Sequence, residues 1–423
     1  MRVLIQVRPS LAMRGAVEAT PDMATAAVGE LEHMLPGVVF DGGFAPVQIP
    51  LPVAPEGGGD PFAFAQSVEF SFEAENSTYL LRATLPDEPM AQRQALVGAS
   101  ANPEVVGIFG DPVIETCPIC PGDGPKGSAG DVARLLSVER LANEGLDGTG
   151  VLLAVVDTGV NIAHLRSKEQ VPKLDRRRSW TPAGVATVPG RHPVDHGTMC
   201  AFDAGITAPK ASLLDHAVLL SRRAGETVMS GLLSDAVAAF GQLLQILMRI
   251  PRGRRRMVVT NSWGMFSPSW DFPIGHPGNY SNNSAHPFNV IVASLENAGA
   301  DVLFAAGNCG RDCPDRRCRF NARPICGAQL PPQRAQRCRH RYEKKTCRLF
   351  LAGAGETKRR QARHLRLYAL RRLRGLRRRR RHVRSMSGRR RRNSSIPNTL
   401  FIFAGETVAA ALPDIQECRG SRR

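Results

Sequence analysis

A chain of 423 residues is long enough for two domains, or for one large domain with an appendage. Its net charge of +18 would point to a nucleic-acid or acidic-membrane partner if it were evenly spread. It is not: residues 331–423 hold 25 Arg and 3 Lys against 5 acidic residues, a net of +23, which leaves residues 1–330 at −5 and excludes a polycationic body.

Residues 1–7 form a strand-like run too short to be the apolar core of a secretory signal. The apolar-rich stretch 230–250 contains Asp235, Gln242, Gln245 and Arg249, so it reads as a buried amphipathic helix and not a membrane span. The expectation is a soluble chain, cytoplasmic as written, with no membrane partner. Ten cysteines without a signal argue mildly against a disulfide framework.

In chain order, residues 1–60 offer one short strand, a helix near 25–34 and a loop rich in Pro and Gly. Residues 67–73 alternate like a strand, 78–84 form a second strand, 89–100 a helix and 104–109 a third strand. Residues 1–114 therefore read as a small α+β region. Residues 115–130 read as a linker holding Cys117-Pro118-Ile119-Cys120, a pair that could bind zinc or cycle between thiol and disulfide. No second pair or His stands at zinc spacing, so two incidental linker cysteines explain it better.

A helix is expected over 131–142. Residues 151–156 are all apolar and read as a parallel strand buried on both faces. The strand runs into Asp157-Thr158-Gly159, a turn at the carboxyl end, where open α/β sheets place their chemistry. The chain then reads as loop until Asp195-His196-Gly197-Thr198, a loop-to-helix transition. Ala208-Pro209-Lys210-Ala211-Ser212-Leu213 leads into a strand ending near Val218 and Leu219. A helix over 230–250, a basic loop over 252–256, a strand over 257–262, a helix over 289–298 and a strand over 301–305 follow. This alternation predicts a mostly parallel sheet covered on both faces.

Four motifs stand out in this order: Asp157-Thr158-Gly159, His196-Gly197-Thr198-Met199-Cys200-Ala201, Thr260-Asn261-Ser262-Trp263-Gly264 and Phe304-Ala305-Ala306-Gly307-Asn308. Together they resemble the subtilisin-like serine proteases (subtilases, peptidase family S8), over about residues 131–327. The resemblance implies an α/β, three-layer domain with a mostly parallel sheet. The α+β region before it stands where such proteases carry a prodomain, which assists folding and blocks the cleft; an unrelated α+β domain fits the same elements. Acyl transfer by serine needs a nucleophile, a base, an orienting group and oxyanion donors. The resemblance assigns Asp157 as the orienter, His196 as the general base and Asn308 as the oxyanion donor. It assigns Ser262, Trp263 and Gly264 to the edge strand along which a peptide lies extended. Partners would be protein or peptide substrates, with nucleic acid touched only non-specifically through the tail. Family members often bind calcium, but no carboxylate loop is assignable, and no cofactor or metal ligand is read. Cys309, Cys313, Cys318 and Cys326 cluster after Asn308 without a convincing ligand spacing.

The family's nucleophile lies in Gly-Thr-Ser-x-Ala/Met-x-Pro, and no such run exists here. In subtilisin, loss of that serine costs about 10⁶-fold in turnover, roughly 8 kcal/mol of barrier, so the chain as written is expected to be inactive. Periodic patterning stops near Gly327, and residues 328–423 read as a low-order basic tail with its densest Arg run at 371–384. A disordered tail and a nucleic-acid-binding arm both fit, but a shifted reading frame explains more. The codons CGG CAC GTC CGC AGC ATG TCC GGT encode residues 381–388, and from the second base they read Gly-Thr-Ser-Ala-Ala-Cys-Pro-Val. Two segments resembling those that precede the family's nucleophile can be hidden in the same frame, within residues 345–354 and 360–368. A single slip near residues 326–330 would account for all three, with the lost serine codon straddling Val383 and Arg384.

Overall fold

The computed structural model describes residues 1–8, 33, 35–53, 69–71, 73, 77–116, 127–220, 229–265, 271–273, 275–280, 283 and 285–305. The N-terminal part is an antiparallel sheet in the order β4-β3-β5-β1-β6, with β2 also paired to β5. Its strands are β1 (Arg2–Val7), β2 (Val39–Phe40), β3 (Val47–Val53), β4 (Glu69–Ser71), β5 (Ser77–Thr84) and β6 (Val105–Gly110). Helix α1 (Pro89–Ala101) starts with Pro at its first position, where no backbone donor is needed. The Glu88 carboxylate caps it by accepting from the Met90 and Ala91 N–H groups, which lowers the pKa of that carboxyl.

Strand alternation gives this sheet two apolar faces. Val3, Ile5 and Val7 of β1 and Tyr79, Leu81 and Ala83 of β5 pack against Ala95 and Ala99 of α1. Leu4, Val47, Ile49 and Leu80 point the other way, into the core of the rest of the molecule. Burying each of these four stabilises the junction by about 2 kcal/mol. The ion pair across the same junction, Arg82 Nη1 to Asp235 Oδ1 at 3.0 Å, is nearly buried, so desolvation offsets much of its attraction. Apolar contact therefore holds the two parts together, and the ion pair fixes their register.

The second part is a five-stranded, wholly parallel sheet in the order β14-β12-β8-β10-β9. Its strands are β8 (Leu152–Val156), β9 (Lys173–Leu174), β10 (Ser212–His216), β12 (Met257–Asn261) and β14 (Ala300–Phe304). Central β8 shows why a run of six apolar residues is required. Leu152, Ala154 and Val156 face helices α6 (Leu233–Met248) and α7 (Pro287–Asn297). Val151, Leu153 and Val155 face α4 (Ile162–Ser167) and α5 (His196–Thr207). The result is a three-layer α/β domain.

A third, small sheet has the order β11-β7-β13. Strand β7 (Val113–Thr116) follows directly on the N-terminal sheet and lies antiparallel between β11 (Ser230–Leu232) and β13 (Trp263–Gly264).

The structure differs from the sequence reading at several boundaries. The helix expected over 131–142 is two, α2 (Ala129–Leu136) and α3 (Val138–Asn143), because Ser137 adopts a left-handed conformation (φ 57°) that ends the first. The helix expected from 230 begins at Leu233, because residues 230–232 are drawn out to pair with β7. The stretch after Asp157 is not all loop: Asn161 caps α4 by accepting from the His164 N–H. The strand expected to end near Val218 and Leu219 ends at His216, and Val218–Leu220 form a 3-10 turn. Apart from His33, the helix expected near 25–34 lies outside the described residues, as do Cys117, Cys120 and the whole tail from 328.

Candidate active site

Asp157 stands at the carboxyl end of β8, its N–H still bonded to the His216 carbonyl of β10 at 3.0 Å. The next two residues turn sharply. The Thr158 N–H donates to Asp157 Oδ1 at 2.7 Å, and Gly159 takes φ +95°. A Cβ on Gly159 would overlap the His192 ring, so no other residue fits there without moving that ring.

His196 is the first residue of α5. Asp195 precedes it as the N-cap and accepts from the His196 N–H at 2.8 Å. Gly197 lets this helix start press against the β8 turn: a Cβ there would come within 2.6 Å of the Gly159 carbonyl oxygen. The Gly197 N–H donates to Thr158 Oγ1 at 2.8 Å, locking the two segments together. His196 Nδ1 then sits 2.9 Å from Asp157 Oδ1 and 3.0 Å from Oδ2. Asp157 is 1% exposed and His196 6%. A carboxylate only accepts, so the imidazole carries a proton on Nδ1 and presents Nε2 as a base.

One helical turn on, the Cys200 thiol lies 3.7 Å from His196 Nδ1 and 3.8 Å from Asp157 Oδ2. Burial raises its pKa, and the negative charge of Asp157 adds to the rise. The sequence reading includes Cys200 in the His196 motif but gives it no role; the spacing of four residues from His196 on a helix was the available signal.

Ser262, Trp263 and Gly264 leave β12 toward the same end of the sheet. The Trp263 indole N–H donates to the Val156 carbonyl at 3.0 Å, which ties this strand to the residue before Asp157. Its ring meets Phe288 and Phe304, and it is 1% exposed. The Trp263–Gly264 edge is already paired: Trp263 faces Thr116 and Gly264 faces Glu115 of β7. On the other side of β7, Ser230, Gly231 and Leu232 face Glu115, Ile114 and Val113. Helix α6 has no side-chain cap of its own and takes one from the residues before β7. The Leu233 N–H donates to the Pro112 carbonyl at 3.0 Å, and the Ser234 N–H to Asp111 Oδ1 at 2.8 Å. Burial pushes the Asp111 carboxyl up to about 6.

A second Asp and His meet beside the first pair, and the sequence reading missed them. Asp215 Oδ2 of β10 accepts from the Gly190 N–H at 2.8 Å and lies 3.6 Å from His192 Nε2. Burial pushes Asp215 up to about 7 and His192 down to about 4.

The structure thus brings Asp157, His196 and the Ser262, Trp263 and Gly264 strand to one end of the parallel sheet. Asn308 lies outside the described residues, as do Cys309, Cys313, Cys318 and Cys326. Among the described residues, no helix is long and apolar enough to cross a membrane.

Residues 148–323 match the model of the subtilase family, Peptidase_S8, a span that includes Asp157, His196 and Asn308. No curated protein matches the chain. Among solved structures 44 chains match. One is the MycP3 protease from the type VII (ESX-3) secretion system, 17% identical, with 48% of this chain and 52% of that one covered and a TM-score of 0.29. The chain spans about half the length of that protease. A parallel α/β sheet, an Asp and His joined at its carboxyl end and the family match over the same residues give one conclusion: the chain carries a domain of the subtilase family, a family of serine proteases, over residues 148–323.

Proposed function

We propose that this domain is built for peptide-bond hydrolysis, with Asp157 orienting His196 as the general base. The contact of His196 Nδ1 with both carboxylate oxygens, at 2.9 and 3.0 Å, is the observation that carries the reading. Such a pair holds the ring, fixes its tautomer and stabilises the imidazolium formed when the base takes the nucleophile's proton. Asn308 is assigned the oxyanion, and the Trp263–Gly264 strand the extended substrate.

The groove this strand would offer is filled by the chain itself. Strand β7 makes an antiparallel pairing on each side, as an added peptide strand does. On this reading residues 1–114 act as a prodomain, and β7, which runs two residues past that boundary, is its blocking segment.

The nucleophile is absent from the chain as written, so binding of peptide without turnover is the activity left to it. A fluorophosphonate probe separates the cases. The chain as translated is expected to show no covalent labelling. A chain restored to the shifted frame beyond residue 326 is expected to label at the serine of Gly-Thr-Ser, and a His196→Gln change in it to abolish labelling. Labelling of the chain as translated would overturn the assignment of the missing nucleophile. A restored chain that stays unlabelled would overturn the protease reading.

A further inference from the structure

We propose that Asp157, His196 and Cys200 form a site for a borderline or soft divalent cation, Zn²⁺ above all, which holds the Asp–His pair out of its base-competent state. Among the described residues these three offer one carboxylate oxygen, one imidazole nitrogen and one sulfur, all within 4.8 Å of one another. Zinc binds sulfur at about 2.3 Å, imidazole nitrogen at about 2.0 Å and carboxylate oxygen at about 2.1 Å. A tetrahedron with those bonds has edges of about 3.4–3.6 Å. The observed edges are 3.7 Å from sulfur to nitrogen, 3.8 Å from sulfur to oxygen and 2.9–3.0 Å from nitrogen to oxygen. Two edges need closing by about 0.2 Å and one needs opening by about 0.5 Å, within the reach of side-chain torsions.

A second observation points into the same space. Ser262 is 5% exposed, and its hydroxyl stands beside the Cys200 thiol yet makes no hydrogen bond of normal geometry. A buried hydroxyl left without a bond costs about 1–3 kcal/mol. A cation coordinated by the thiolate, with a water as fourth ligand, would give that hydroxyl a partner. The thiolate selects zinc or cadmium over calcium and magnesium, which take oxygen ligands.

The proton balance is simple. The cation replaces the proton that Nδ1 shares with Asp157, and the imidazole keeps its one proton by carrying it on Nε2. The thiol gives its proton to solvent. With Nε2 protonated and Nδ1 coordinated, the ring has no lone pair left to act as a base, so a bound cation and general-base action exclude each other.

The chain has ten cysteines, so the test must resolve one of them. The full chain is alkylated with N-ethylmaleimide in a chelator and again in micromolar Zn²⁺, and the Cys200 peptide is followed by mass spectrometry. Zn²⁺ is expected to slow alkylation of Cys200 at least tenfold, and His196→Gln and Asp157→Asn are each expected to abolish that protection. An unchanged rate at Cys200 in the parent chain would overturn the proposal without need of any variant. Protection that persists in His196→Gln would overturn it too, because the thiol would then bind metal without the pair. The readout involves no hydrolysis, so it stands whichever way the fluorophosphonate labelling falls.

Discussion

Two buried Asp–His pairs sit at the same end of the parallel sheet, on neighbouring strands, and they are bonded quite differently. Asp157 holds His196 with both oxygens at 2.9 and 3.0 Å. Asp215 stands 3.6 Å from His192, and both Asp215 Oδ1 and His192 Nε2 lack a hydrogen bond. The cause is what else each residue touches. His196 is aimed by its place at the first turn of α5. His192 instead sets Nδ1 against Thr187 Oγ1 at 2.8 Å, and Asp215 commits Oδ2 to the Gly190 N–H. Burial favours the uncharged form of each member of the second pair, which makes it a packing element. Contact between an Asp and a His therefore takes two forms here: a bidentate pair at a helix start, and a looser pair whose members are each bonded elsewhere.

The largest effect that can break this contrast is in the pH dependence of Asp215→Asn. The Asp215 carboxyl titrates at about 7 in the folded chain against an ordinary value of 3.8. A raised carboxyl pKa means that the folded form keeps its proton longer, so the contribution of this group to stability falls as pH rises from about 4 to about 7. The variant lacks that loss. Urea unfolding is expected to show it gaining on the parent by several kcal/mol across that window, with about 4 as the order of magnitude. Curves that shift in parallel would mean that Asp215 is an ordinary ionised carboxylate. Next in size is Gly197→Ala, whose added methyl meets the Gly159 carbonyl at 2.6 Å. Overpacking of this kind costs about 1–3 kcal/mol, and the thermal midpoint should fall accordingly. It should loosen the first pair and leave the second alone. The smallest effect is spectroscopic. A strongly deshielded Nδ1 proton is expected in the NMR spectrum of the parent chain, absent in Asp157→Asn and kept in Asp215→Asn. Its survival in Asp157→Asn would assign it to another group.

The first pair was legible in the sequence and the second was not, for a physical reason. Asp157 follows six apolar residues and precedes a glycine turn, and His196 precedes Gly197, so strand end and helix start are written locally. Asp215 lies inside a strand and His192 inside a turn, and nothing local marks either as facing the other. The parallel sheet was equally legible, because β8 must be apolar on both faces. The break at Ser137 was not, since a left-handed serine depends on where the next helix must go. Nor was the pairing of β7, because strand partners 115 or more residues apart share no local pattern. Cys200 is marked in the sequence only by its spacing of four residues from His196.

Strand β7 is joined to its partners β11 and β13 by the chain itself, through β6 on one side and residues 117–126 on the other. Its pairing is thus an intramolecular event, and covalent joining of this kind gives an effective concentration on the order of millimolar. A free peptide with the same intrinsic affinity would have to reach that concentration to displace half of it. Cutting residues 117–126 would remove only one of the two tethers, because the N-terminal sheet still rests on α6 and α7 through Leu4, Val47, Ile49 and Leu80. The position of β7 between β11 and β13 is therefore set less by its own four residues than by the apolar face of the sheet behind it.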